Sequence, residues 1–157
     1  MTSLQINMTK KTSSKNIAYE FLEHTADVKF KAYGATFENA LKNAVKATID
    51  VMTDVTKIKA TSRKKILVNA NTKESLIYDF LEEIIYLIDT EGFLPCNVTN
   101  LEIITTNPNY KFILTAELEG DFAKNYDVHT YIKAVTYNDM EIIETKNQVT
   151  IQVVHDI

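Results

Sequence analysis

From Tyr19 to the end of the chain, apolar residues recur with two different periods, and each change of period marks an element boundary. Residues 1–17 show neither period. They are rich in Ser, Thr, Asn and Lys and hold no acid, which predicts a disordered leader, with Met8 as an alternative start, ahead of a single domain over 18–157. Tyr19 to Leu22 is a short apolar run. Val28, Phe30 and Ala32 then alternate with Lys29, Lys31 and Tyr33 as far as Gly34, the pattern of a half-buried strand.

Thr36 has the chemistry of a helix N-cap, and Phe37, Ala40, Leu41, Ala44, Val45, Thr48 and Met52 follow at helical spacing as a core-facing stripe. A strand is expected over Lys65 to Ala70. Asn71-Thr72 then caps a second helix carrying Leu76, Ile77, Phe80, Leu81, Ile84, Ile85 and Ile88, with Asp79, Glu82 and Glu83 as its solvated face. Gly92 and Pro95 stop it. The second half reads as strands. Leu101 and Ile103 precede an Asn107-Pro108-Asn109 turn, and Phe112, Leu114, Ala116 and Leu118 alternate after it. Thr130 to Tyr137 is expected to turn at Asn138-Asp139 into Met140 to Glu144, and a last strand runs over Val149 to Val154. The pattern predicts an α+β fold: a single-domain α/β sandwich, its mostly antiparallel sheet system packed by two helices on one side.

Composition narrows the function. With 157 residues, 45% hydrophobic and 24% charged, the chain can bury a core without staples. One cysteine, Cys96, allows no intrachain disulfide and fits a reducing compartment, and no apolar run approaches a membrane span, so a cytoplasmic protein is expected. A net charge of −4 argues against direct tight binding to nucleic acid and suits a basic protein partner. Three histidines and three glycines supply neither a nucleophile constellation nor a phosphate-cradling loop, so no catalytic residue is assigned.

The carboxylates at the two ends of the domain are the remaining chemistry. The chain closes His155-Asp156-Ile157, which sets the Asp156 side chain beside the Ile157 α-carboxylate; Asp27 closes the segment Glu23-His24-Thr25-Ala26-Asp27. Carboxylates within about 4 Å repel by roughly 4 kcal/mol per pair at an effective dielectric near 20, so a cluster of all three would call for a counter-ion. On the residues alone, the structural reading is favoured for Asp27, as a turn residue, and for His24, as a loop residue that fixes backbone rather than a metal ligand or general base, and Asp156 reads as a solvated chain end. Strand alternation points His155 with Val149, Ile151 and Val153 toward the core and Asp156 the other way. Lys133, within an otherwise apolar segment, stands out as an exposed cation.

Several segments, in order, resemble the archease family: Tyr19-Glu20-Phe21-Leu22-Glu23-His24-Thr25-Ala26-Asp27-Val28, Ala32-Tyr33-Gly34, Met52-Thr53-Asp54, Leu81-Glu82-Glu83 with Tyr86-Leu87, Ile132-Lys133-Ala134-Val135-Thr136-Tyr137, and the closing Asp156-Ile157. The resemblance implies a non-catalytic cofactor of RtcB-type RNA ligases, promoting GTP-dependent guanylylation of the ligase and its multiple turnover in tRNA splicing and RNA repair. It further implies a divalent-cation site formed by Asp27, Asp156 and Ile157, with calcium first and magnesium or manganese as alternatives. His24 and Lys133 are candidates for partner contact or support of that site. Three positions depart from the family pattern: Tyr131 where an acid is frequent, Asn138 where a histidine is common, and His155 where an aliphatic residue is usual. A general chaperone or interaction module, and a metal-dependent hydrolase using Asp27, Asp156 and His24, are the competing readings.

Overall fold

Two threonines start the helices. The structure, a computed structural model, describes residues 17–23 and 26–157. Thr36 accepts from the Asn39 N–H at the head of α1 (Phe37–Met52), and Thr72 forms a reciprocal capping box with Ser75 at the head of α2 (Lys73–Glu91). Gly92, at φ 66°, closes α2 in the left-handed conformation. The strands are β1 (Tyr19–Leu22), β2 (Val28–Gly34), β3 (Ser62–Ala70), β4 (Phe93–Ile104), β5 (Phe112–Phe122), β6 (Ala134–Glu144) and β7 (Val149–Asp156). Short 3-10 turns occupy Val55–Lys57 and Ala123–Asn125.

The strands form two sheets, ordered β1-β2-β7-β6 and β3-β5-β4, with every pairing antiparallel. Each helix contacts both sheets, α1 through β2 and β4 and α2 through β6 and β3, so the helices form a layer touching both rather than lying on one side of a single system. Burial along α1 follows from this. Its last six residues, Ala47 to Met52, are all buried, as expected for a helix covered on every side. Tyr19 ties β1 to that helix end, its hydroxyl donating to Asp50 Oδ2 at 3.0 Å. No described helix is long and apolar enough to cross a membrane.

Three local readings change. Phe93 to Pro95 belong to β4, which starts as soon as Gly92 reverses the chain; Pro95 is accommodated by a register shift before Asn97, since it has no N–H to give the ladder. Asn138-Asp139 is not a hairpin turn. It lies in a bulge of β6 between Thr136 and Glu141, with Asp139 at φ 53° and its carbonyl accepting from Gln152 Nε2 at 2.8 Å. Lys133 precedes β6 and is not inside a strand. Residues 1–16 of the expected leader, with Met8, and His24 lie outside the described residues; the Ala18 carbonyl already accepts from the Tyr33 N–H at 2.8 Å, continuing the β1–β2 pairing.

Candidate functional site

β7 is the strand that brings the two ends of the domain together. It is central in its sheet, and every residue from Val149 to His155 is buried. α1 covers one face, while Gln152 and the Val154 carbonyl, which accepts from Thr136 Oγ1 at 2.8 Å, are engaged by β6 and its bulge. Asp156 is the first exposed residue after that run, and Ile157 is half-buried with its side chain against the edge of the core.

The β2–β7 ladder ends with Val28 opposite His155, and Asp27 and Asp156 are the next residues along the two chains at that end. Ala26, immediately before Asp27, turns the chain there with φ 69°, a conformation that costs a non-glycine residue about 1–2 kcal/mol. On the other side of β7, Ala134 pairs with Asp156, and the Lys133 N–H donates to the Asp156 carbonyl at 2.8 Å. Asp27, Asp156, Ile157 and Lys133 therefore share one end of the four-stranded sheet. The Lys133 side chain is exposed, as is that of Tyr131.

The imidazole of His155 is directed away from this edge. It is fully buried, lies 5.3 Å from the Phe30 ring, and has Nε2 2.9 Å from Thr48 Oγ1. Burial pushes its pKa down to about 3, so the ring is neutral. With His155 facing inward, the side chains meeting at the edge offer oxygen alone. Among the described residues no group of three or more His, Cys, Asp or Glu is placed to hold a metal. A hard-oxygen set such as Asp27, Asp156 and Ile157 fits calcium, magnesium or manganese and not zinc.

Two supporting residues escape a sequence reading. Glu82 is not merely part of a solvated helix face: its Oε2 accepts from the Val135 N–H at 2.7 Å and anchors the start of β6 to α2. Thr48 sits in the apolar stripe of α1 but uses its hydroxyl twice, toward Ala44 O at 2.8 Å and His155. A hydroxyl in an otherwise apolar stripe was the available signal for Thr48; nothing in the sequence distinguishes Glu82 from Glu83. Asp79, Glu82 and Glu83 also line a cleft of about 540 Å³ with Tyr86 and Tyr110, an acidic surface. Burial pushes the pKa of Cys96 up, which disfavours its thiolate.

The sequence model of the Archease protein family matches residues 19–157. A protein archease of Methanosarcina barkeri is 38% identical over 149 residues, covering 92% of this chain and 99% of the relative, and one from Methanosarcina mazei is 35% identical over 144 residues at the same coverages. Among solved structures, the solution structure of Methanobacterium thermoautotrophicum protein 1598 superposes with a TM-score of 0.74 at 27% identity, covering 89% of this chain and 99% of that one. A Thermotoga maritima archease, described as a possible chaperone, shares the fold at a TM-score of 0.56 and 20% identity, covering 87% of this chain and 94% of that one. Matched over residues 19–157 by the family model and over nine-tenths of its length by relatives covered almost end to end, the chain belongs to the archease family.

Proposed function

We propose that this protein is a non-catalytic activator of an RtcB-type RNA ligase, promoting GTP-dependent guanylylation of the ligase and its repeated turnover in tRNA splicing and RNA repair. The reading is supported by the placement of Asp27, Asp156 and Ile157 at one end of the β2–β7 ladder, in a chain of the archease family. Asp27, Asp156 and Ile157 would hold a divalent cation, calcium first, and when bound it offsets the charge of the carboxylates and offers an open coordination position to a partner's oxygen groups. Lys133, exposed on the same edge, is suited to contact that partner. The acidic surface and net charge of −4 favour a basic protein partner over direct RNA binding.

Among the described residues no nucleophile arrangement accompanies the carboxylates: burial disfavours the Cys96 thiolate, and His155 is buried and engaged with Thr48. The deciding experiment measures guanylylation and turnover of a purified RtcB-type ligase from the same genome, with and without substoichiometric amounts of this protein. Acceleration beyond one turnover per ligase supports the reading. Unchanged ligase kinetics rule it out for that pair, and manganese-dependent phosphoesterase activity abolished by Asp27→Asn would replace it with a hydrolase.

A further inference from the structure

Thr48 and His155 pose a problem that packing does not solve. The Thr48 hydroxyl has a single proton and two acceptor neighbours in reach, Ala44 O at 2.8 Å and His155 Nε2 at 2.9 Å. A carbonyl only accepts, so the hydroxyl donates to Ala44 and accepts from His155, whose proton is therefore on Nε2. That assignment leaves Nδ1 as a bare acceptor, and Nδ1 is buried with no hydrogen-bond partner among the described residues. An unpaired buried acceptor is destabilising, and an aliphatic residue at this position would avoid it. Stability therefore does not explain a histidine here, and residues that break a local rule are expected where position matters.

The placement of the ring supplies a reason. His155 pairs with Val28 on one side and Val135 on the other, so its tether to α1 acts where β2, β7 and β6 meet. The next residue is Asp156, which is exposed and whose carbonyl accepts from the Lys133 N–H. We propose that the Thr48–His155 hydrogen bond is a positioning device that pins the end of β7 to α1, and so holds Asp156 at the same end of the ladder as Asp27. Its effect on a cation rests on the site proposed above; the pinning itself does not.

The test uses the full chain and three forms: wild type, Thr48→Val and Thr48→Ser. Amide hydrogen exchange, read by NMR, follows the Lys133 N–H, which reports directly on the Asp156 carbonyl, against Leu114 in β5 as a reference within the second sheet. Calorimetric titration with calcium follows the site. In Thr48→Val the Lys133 amide should exchange at least about tenfold faster with Leu114 unchanged, and calcium affinity should fall about tenfold, as for other outer-shell partners, while Thr48→Ser stays within about twofold of wild type in both. Unchanged exchange at Lys133 in Thr48→Val, or an equal loss at Lys133 and Leu114, overturns the positioning role. Faster exchange at Lys133 in a protein whose wild type takes up no calcium upholds the pinning and discards the cation reading alone. Faster exchange with unaltered calcium affinity overturns the link between the pin and the site.

Discussion

Val28 stands directly opposite His155, and that single pairing brings two acids remote in sequence, Asp27 and Asp156, to the same end of the β2–β7 ladder. Facing like charges on adjacent strands destabilise a sheet unless a counter-ion or solvent offsets them. Asp156 is exposed and Asp27 half-buried, so water can screen the pair.

Substituting either acid should accordingly separate binding from folding. Asp27→Ala and Asp156→Ala are each expected to abolish calcium binding and ligase activation, with melting temperature in chelator unchanged or slightly raised. In water the relieved repulsion is worth at most about 1 kcal/mol at 4 Å. Circular dichroism melts with and without calcium make the comparison. A large loss of stability for both variants in chelator would reassign the two residues to a structural role.

A chain extended past Ile157 tests the third ligand. As a terminus, residue 157 carries an α-carboxylate with an ordinary pKa of roughly 3.3–3.7, ionised at neutral pH; extension converts it to an amide without charge. Calcium affinity and ligase activation should fall for protein tagged after Ile157 and stay near normal for protein tagged ahead of Met1. Equal calorimetric affinities for the two would show that the terminal charge is not required.

Local chemistry was legible in the sequence, and long-range pairing was not. Thr36, Thr72 and Gly92 carry their own capping geometry, and the alternation through Phe112, Leu114, Ala116 and Leu118 encodes a strand by itself. Alternation likewise placed His155 in the core. By contrast, Asn138-Asp139 has hairpin-turn chemistry but occupies a bulge, because β7 is long enough for β6 to keep pairing with it beyond Asp139. The placement of Asp27 and Asp156 at one end of the sheet depends on the β2–β7 register, which no local pattern states; family resemblance supplied the expectation that they act together. Glu82 and Glu83 are indistinguishable as helix-face acids until the Val135 N–H is found against one of them.

That bond makes Glu82 the more sensitive of the two. Removing the acceptor leaves the Val135 N–H without its partner, and hydrogen bonds to charged groups contribute about 1.5–3 kcal/mol. Because Glu82 is only half-buried, water can recover part of this, so Glu82→Ala should cost about 1–2 kcal/mol in urea unfolding and Glu83→Ala under about 0.5. Equal costs would mean that the contact with β6 contributes nothing to stability.

Asp121 predicts how the fold responds to acid. Its carboxylate accepts from Tyr126 Oη at 2.7 Å, the Phe122 N–H at 2.8 Å, Thr61 Oγ1 at 2.9 Å and Asn125 Nδ2 at 3.3 Å. Tyr126 is the largest of the influences that hold its pKa below the ordinary 3.8. A carboxyl with a lowered folded-state pKa binds its proton more readily when unfolded. Its stabilisation is therefore complete above the ordinary value and is lost as pH falls through the folded one. Asp121→Asn should lower the melting temperature by several degrees at pH 7, and the gap to wild type should shrink on titration below pH 4. A constant gap would show that the ionised form is not what the loop from Asp121 to Tyr126 requires.

The glycines give a prediction that can fail in its ordering. At Gly120, β5 approaches β4 so closely that an added Cβ would collide with the Leu94 carbonyl oxygen and lie 2.7 Å from Pro95 Cα and 2.8 Å from Leu94 C. All of these are backbone atoms, and none can move without disturbing the pairing of Pro95 with Gly120 or the bond from the Thr61 N–H to the Gly120 carbonyl at 3.0 Å. Gly92 presents the opposite situation: φ is 66°, yet nothing lies within 4 Å of an added Cβ. Alanine there incurs only the left-handed penalty of about 1–2 kcal/mol. Overpacking against rigid backbone costs about 3 kcal/mol or more, so Gly120→Ala should lower the melting temperature by roughly 6–12 °C in a domain of this size. Gly92→Ala should lower it by roughly half as much or less. Thermal melts of the two single variants at one pH settle the order, and a larger loss at Gly92 would show that β4 can yield at Leu94 and Pro95 to admit the methyl group.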